Sequence, residues 1–191
     1  MEADTLSAVS EVHERYGRVA DGFGARLSGV GKDQWTAQTP CTDWDVRELV
    51  VHVITTHRRV VASASKTDPV PVDPGGDLFA QWRLATEAVA DRLRDPEQSS
   101  MMVSGMFGEQ TFELLVSRLL CSDTLFHTWD LARATGQSEA LDAGAVVMAL
   151  AFLEPLDEAI RRPGGFAPKI TPLPGADDQA RLLNFGGRSV Q

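Results

Sequence analysis

Basic residues are scarce: 18 lysines and arginines face 27 aspartates and glutamates in 191 residues, a formal net charge of −9. The only adjacent basic pairs, Arg58-Arg59 and Arg161-Arg162, are too small to displace phosphate counterions. That argues against nucleic acid as a partner, and an anionic membrane surface is disfavoured for the same reason. No apolar run approaches the roughly 18 residues that a membrane span needs. The start Met1-Glu2-Ala3-Asp4 lacks the basic residue and apolar stretch of a signal peptide, so the expected location is the cytoplasm. Cysteine is nearly absent. Cys41 and Cys121 are read as free thiols, because a reducing compartment and a chain of this size make a structural bridge unnecessary. With 43% hydrophobic and 24% charged residues, the chain can build one full core but not two, and a single domain is expected.

What is present is helical periodicity. From Thr5 to about Leu27, the residues Leu6, Val9, Val12, Tyr16, Val19, Phe23 and Leu27 recur at steps of three and four. Gly22 and Gly24 weaken this first helix unless they serve close packing, which is the preferred reading. A second helix follows a cap at Thr42 with Asp45 three residues on, and buries Val46, Leu49, Val50, Val53 and Val60. The proline-rich loop 66–76 ends it. A third helix starts near Asp77, carries Phe79, Trp82, Leu84, Val89 and Leu93, and stops before Pro96. Residues 99–112 read as an irregular crossover with brief extended pieces. A fourth helix spans about Phe112 to Thr135 with Gly136 as its C-terminal cap, and a fifth runs from about Asp142 to Ile160. The chain then turns rich in proline and glycine, with a short last turn at Gln179 to Asn184. These elements predict an all-α bundle over residues 1–162, with a Pro/Gly-rich extension over 163–191 packed on or near it.

A core-facing stripe is normally apolar, so polar residues on it are informative. On the fourth helix, Phe112, Val116, Leu119, Leu120, Asp123, His127, Leu131 and Ala134 step along one face, placing a carboxylate and an imidazole one turn apart. On the second helix, His52 sits on a similar face amid Leu49-Val50-Val51 and Val53-Ile54. Each polar group buried alone would cost several kcal/mol, roughly 2–7 by transfer measurements. Carboxylate plus imidazole is ligand chemistry suited to Zn²⁺ and its first-row neighbours, and three ligands leave a coordination position open. The alternative is a core Asp–His hydrogen bond, with His52 satisfied by a backbone carbonyl.

Two segments carry a resemblance. Thr39-Pro40-Cys41-Thr42-Asp43-Trp44-Asp45-Val46-Arg47-Glu48-Leu49 with His52 is the first. The second is Asp123-x-x-x-His127-x-Trp129-Asp130-Leu131-Ala132-Arg133-Ala134-x-Gly136. Together they resemble the actinobacterial branch of the DinB-like superfamily, which includes the metal-binding domain of mycothiol-dependent maleylpyruvate isomerase. The resemblance implies a DinB-like four-helix bundle with a long crossover and a short C-terminal extension. It implies a divalent ion held by His52, Asp123 and His127, with Zn²⁺ expected and Ni²⁺ or another first-row ion as alternatives. It also implies a low-molecular-weight thiol such as mycothiol and a small electrophilic substrate as partners. The isomerase carries a further C-terminal domain that this chain is too short to hold, so metal binding is implied ahead of maleylpyruvate isomerisation itself.

The expected activity is that of a thiol-dependent transferase or isomerase using a metal-activated thiolate. Metal-dependent hydrolysis and a non-catalytic metal-binding stress-response module are the alternatives, and a homodimer is compatible with either. Asp130 follows His127 by three residues and is expected to accept a histidine N–H rather than to replace Asp123 as ligand. His57, about 140° around the helix from His52, and His13 are expected on the surface. Cys121, about 160° from Asp123, should point away from the ligands. Cys41, read as preceding a helix N-terminus, is taken as structural, and Trp44 and Trp129 as packing anchors rather than substrate platforms.

Overall fold

The computed structural model describes residues 2–105, 108–161 and 166–190, with side chains from Glu11 onward. Four long helices dominate: α1 (Glu2–Ser28), α2 (Val46–Ser65), α3 (Leu78–Arg94) and α5. A single turn, α4 (Pro96–Ser99), and an antiparallel hairpin of β1 (Met102–Gly105) and β2 (Gly108–Thr111) precede α5. Helix α5 is continuous but not uniform: Phe112–Leu115 is α-helical, Val116–Leu120 is π-helical and Cys121–Thr135 is α-helical again. Helices α6 (Ala143–Leu153), α7 (Asp157–Ile160) and α8 (Asp178–Phe185) complete the chain.

Around the bundle, α1 packs on α3 and α5, and α2 packs on the same two helices. Consecutive α1 and α2 are therefore diagonal partners, as are α3 and α5. Both connections must cross an end of the bundle, and the second does so through the hairpin. The extended pieces expected between Ser99 and Phe112 are thus a paired ribbon, with Met102 opposite Thr111 and Val103 opposite Gln110. Val103 and Gln110 are buried beneath it.

Local chemistry sets the helix ends. Helix α2 begins one cap later than its sequence suggests. Asp45, not Thr42, accepts the Glu48 N–H at 2.9 Å, and Glu48 returns a carboxylate to the Asp45 N–H at 3.0 Å. Thr39 Oγ1 donates to the Trp44 carbonyl at 2.7 Å and closes residues 39–44 into a turn. Asp77 caps α3, and Gly136 ends α5 in the left-handed conformation at φ 69°. The fifth predicted helix stops at Leu153, because Pro155 opens a 3₁₀ turn before α7. Arg162 to Gly165 lie outside the described residues.

Two clusters of apolar side chains share α5. Tyr16, Phe23, Leu49, Ile54, Trp82, Leu93 and Phe112 belong to the first, between α1, α2, α3 and the start of α5. Leu125, Phe126 and Trp129 of α5 join Val146, Leu150 and Leu153 of α6 and Leu182 and Leu183 of α8 in the second. Sitting between them, α5 is covered nearly all round, and twelve of the fifteen residues from Cys121 to Thr135 are buried. On α3 the stripe is shifted: Phe79 and Leu84 are exposed at 39% and 65%, while Leu78 and Ala85 turn inward. Gly24 serves close packing, since a Cβ there would lie 3.1 Å from the Trp82 indole nitrogen, whereas Gly22 has no such neighbour.

His57 corrects an expectation. It is fully buried rather than on the surface, with its ring centroid 5.9 Å from Tyr16 and 4.7 Å from Trp82. The 140° offset from His52 does lead to another face of α2, but α1 and α3 cover that face. Its Nδ1–H donates to the Val53 carbonyl at 2.9 Å, and burial lowers its pKa from 6.5 to about 4. The unfolded chain therefore binds more protons than the folded one between these values. Stability should fall as pH drops from 6.5 to 4, by about 3 kcal/mol at most. Urea unfolding across that window should show a slope that His57→Phe removes, and an unchanged slope would refute this role.

Candidate metal centre

The contact between α2 and α5 brings three side chains together. His52 comes from α2, and Asp123 and His127 come from successive turns of α5. The Nε2 atoms of His52 and His127 each lie 3.5 Å from Asp123 Oδ1. One ligand atom from each residue can be chosen so that all lie within 4.8 Å of one another. These distances are long for hydrogen bonds. They suit donors arranged around a single ion, because tetrahedral bonds of 2.0–2.1 Å separate neighbouring ligand atoms by about 3.4 Å. Asp123 Oδ2 is buried and has no hydrogen-bond partner. A carboxylate oxygen left alone in the interior is costly, and a cation satisfies it. His52, Asp123 and His127 could therefore hold a metal ion, and among the described residues they are the only such group.

Electrostatics follow from the same geometry. Burial alone would raise the Asp123 pKa, but His127 and His52 hold it well below the usual carboxylate range. Burial would likewise lower that of His127, yet the flanking carboxylates of Asp123 and Asp130 raise it to about 9. Asp130 has no exposed surface. Its Oδ2 accepts the His127 Nδ1–H at 3.1 Å, an arrangement that turns Nε2 toward Asp123. On its other side Arg188 donates from Nη2 to Oδ2 at 2.7 Å and from Nε to Oδ1 at 3.2 Å. Trp44 stacks on the His52 ring at 4.2 Å and lies 5.6 Å from His127. The π-helical segment ends two residues before Ser122 and three before Asp123. Each such bulge adds a residue to the turn and rotates the following face by roughly 100°.

A sequence model of the mycothiol maleylpyruvate isomerase N-terminal domain matches residues 16–132. The chain belongs to this family. Two relatives, the uncharacterized proteins MT0763 and Rv0738 of Mycobacterium tuberculosis strains CDC 1551 / Oshkosh and ATCC 25618 / H37Rv, are each 32% identical to it over 176 residues. The alignments cover 91% of this chain and 96% of theirs. No solved structure matches it. As a member of the mycothiol maleylpyruvate isomerase N-terminal domain family, the protein is an all-α, DinB-like bundle, and no helix among its described residues is long and apolar enough to cross a membrane.

In this family member the centre opens into a cleft of about 1390 Å³, lined among others by Cys41, Trp44, Phe152, Leu156 and Phe166. Trp44 packs against the first core as an anchor and also lines the cleft, whereas Trp129 is fully buried. Cys41 also faces the cleft rather than a helix N-terminus, because α2 starts only at Val46. Its half-buried thiol is pushed up by burial, with Arg188 pulling the other way. Cys121 points into the first core and takes no part in the centre; burial raises its pKa to about 12. Both cysteines are free thiols. His13, partly buried on α1, is outside the group.

Arg188 was not legible as a site residue. The available signal was Gly186-Gly187 just before it. A Cβ on Gly186 would lie 2.4 Å from the Phe126 ring, and Gly187 has φ +80°, so the tail can lie flat on α5 only with glycine at both positions. Arg188 then spans Phe126, 5.0 Å from its ring centre, and reaches Asp130. Asp130→Asn should weaken Co²⁺ or Zn²⁺ binding by about 10- to 100-fold while leaving the ion bound. Competition with a chromophoric chelator measures this. Complete loss of the ion, with Asp123→Asn retaining it, would exchange the two roles.

Proposed function

We propose that the protein binds one divalent metal ion, most simply Zn²⁺, through His52, Asp123 and His127, and uses it in thiol-dependent transfer or isomerisation. Ni²⁺ or another first-row ion suits the same donor set. The observation that carries the proposal is the unpartnered Asp123 Oδ2 beside two converging imidazoles at the floor of an open cleft. Three protein ligands leave room for an exogenous one, as in catalytic rather than structural sites. A divalent ion bound there supplies the Lewis acidity that brings a thiol's pKa into the neutral range. The family's own description, which names mycothiol, supports a low-molecular-weight thiol of that type as the partner.

The chain's own groups supply the rest. Asp130, clamped by Arg188, fixes the His127 ring so that Nε2 stays directed at the centre. Trp44 covers the His52 ring and limits water on that side. In the cleft, Phe152, Leu156 and Phe166 offer apolar surface to a small electrophile.

Protein purified without an affinity tag should contain one divalent ion per chain by elemental analysis. His52→Ala, Asp123→Ala and His127→Ala should each lose it, and a variant that kept wild-type metal content would remove that residue from the ligand set. Mycothiol added to Co²⁺-substituted protein should produce a sulfur-to-cobalt charge-transfer band that His52→Ala lacks. An unchanged spectrum at saturating thiol would overturn the thiol-dependent reading. Turnover of esters without any thiol would then identify a hydrolase.

A further inference from the structure

The cleft also holds a cation that makes no ion pair among the described residues. Arg118 lies on the π-helical segment of α5, five residues before Asp123, and lines the same cleft. Its Nη1 donates to Gln110 Oε1 at 2.9 Å, and its guanidinium carbon stands 5.2 Å over the Phe152 ring centre. The other cleft arginine is different, since Arg188 is paired through Nε and Nη2 with Asp130. Gln110 is itself buried, in the hairpin beneath the helix, and orients the guanidinium with a neutral oxygen. Orientation by an amide and an aromatic face leaves the positive charge uncompensated, whereas a carboxylate partner would have cancelled it.

The cleft that Arg118 lines carries a set of apolar side chains, Phe126, Phe152, Leu156, Ala159, Ile160 and Phe166, of which Phe152 lies under the guanidinium. The volume of about 1390 Å³ exceeds the usual 300–1,000 Å³ of a single small-molecule pocket, so a second ligand can sit beside one held at the metal centre.

We infer that this cleft binds a hydrophobic carboxylate, an aryl or alkyl acid whose carboxylate pairs with Arg118 and whose body packs on Phe152 and Phe166. A carboxylate fits better than a phosphate. One guanidinium with an edge already given to Gln110 can pair a monoanion, while a phosphate dianion calls for more donors and charge than Arg118 provides. The inference rests on the thiol-dependent reading only in naming this acid as the second substrate; the binding site itself does not need it.

Calorimetric titration of the metal-loaded protein with 2-naphthoate and with its neutral counterpart 2-naphthamide tests the assignment. The carboxylate should bind about 10-fold or more tightly than the amide. Arg118→Gln should erase that preference, Arg118→Lys should restore part of it, and Ala159→Trp, at an exposed position on the cleft wall, should weaken both ligands. A carboxylate could also favour the metal, so the comparison is repeated in His52→Ala, where the preference should persist. Equal binding of the two probes by the wild type overturns the inference. So does a preference that survives Arg118→Gln, or one that vanishes in His52→Ala. A silent cobalt spectrum with the naphthoate preference intact would remove the thiol reading and keep this site; the converse would remove this site alone.

Discussion

Asp130 has no exposed surface, so its charge is balanced only by what the fold brings to it: His127 at 3.1 Å and Arg188 at 2.7 and 3.2 Å. Burial alone would raise its pKa, and the hydrogen bonds from His127 and Arg188 outweigh that and keep it ionised. Removing one partner of such a buried pair typically costs about 3–5 kcal/mol, because the other charge is left stranded. The carboxylate therefore ties three parts of the chain together. It sets the His127 ring on α5, holds the end of the chain against Phe126, and in doing so shapes the floor of the cleft. The Gly186-Gly187 pair exists in the structure as the only backbone that can deliver Arg188 to it.

Helix α5 explains why so many polar groups are buried in an ordinary-looking bundle. A helix with one core behind it shows a polar face to water, but α5 has a core on each side. Its buried polar side chains can then find partners only inside. Thr128 and Thr135 do so by bonding backbone carbonyls one turn back, at 2.6 Å each. Asp123 and His127 do so only partly, which leaves Oδ2 unpartnered at the cleft floor. Ser122 Oγ, Thr124 Oγ1 and Trp129 Nε1 on the same helix also lack a partner, but among these Oδ2 alone belongs to an ionised group, whose burial without one is the most costly.

Much of this was legible without the fold. Steps of three and four located the long helices, and the same spacing put His52, Asp123 and His127 on apolar faces. These three meet because α2 and α5 are neighbours in the bundle, a fact that periodicity cannot supply but that the two motifs implied by resemblance. Asp130 was read as a partner of a histidine N–H from its three-residue offset together with the resemblance, which puts the ligating acid four residues before His127, and it stands within hydrogen-bonding distance of His127. His57 and Arg188 were not legible in their roles for the same reason: their partners lie on elements distant in sequence, Tyr16 and Trp82 for the one and Asp130 for the other.

By itself, then, the sequence determined what depends on neighbours along the chain: helix periods, caps such as Asp77 and Gly136, the stop at Pro96, and the one-turn spacing of Asp123 and His127. Tertiary structure alone decided which second face of α2 would be covered, burying His57 under Tyr16 and Trp82. It also decided that Arg188, 58 residues beyond Asp130, would complete the centre's support. Local spacing is dictated by backbone geometry, whereas burial and long-range charge pairing depend on which surfaces the packed helices bring together.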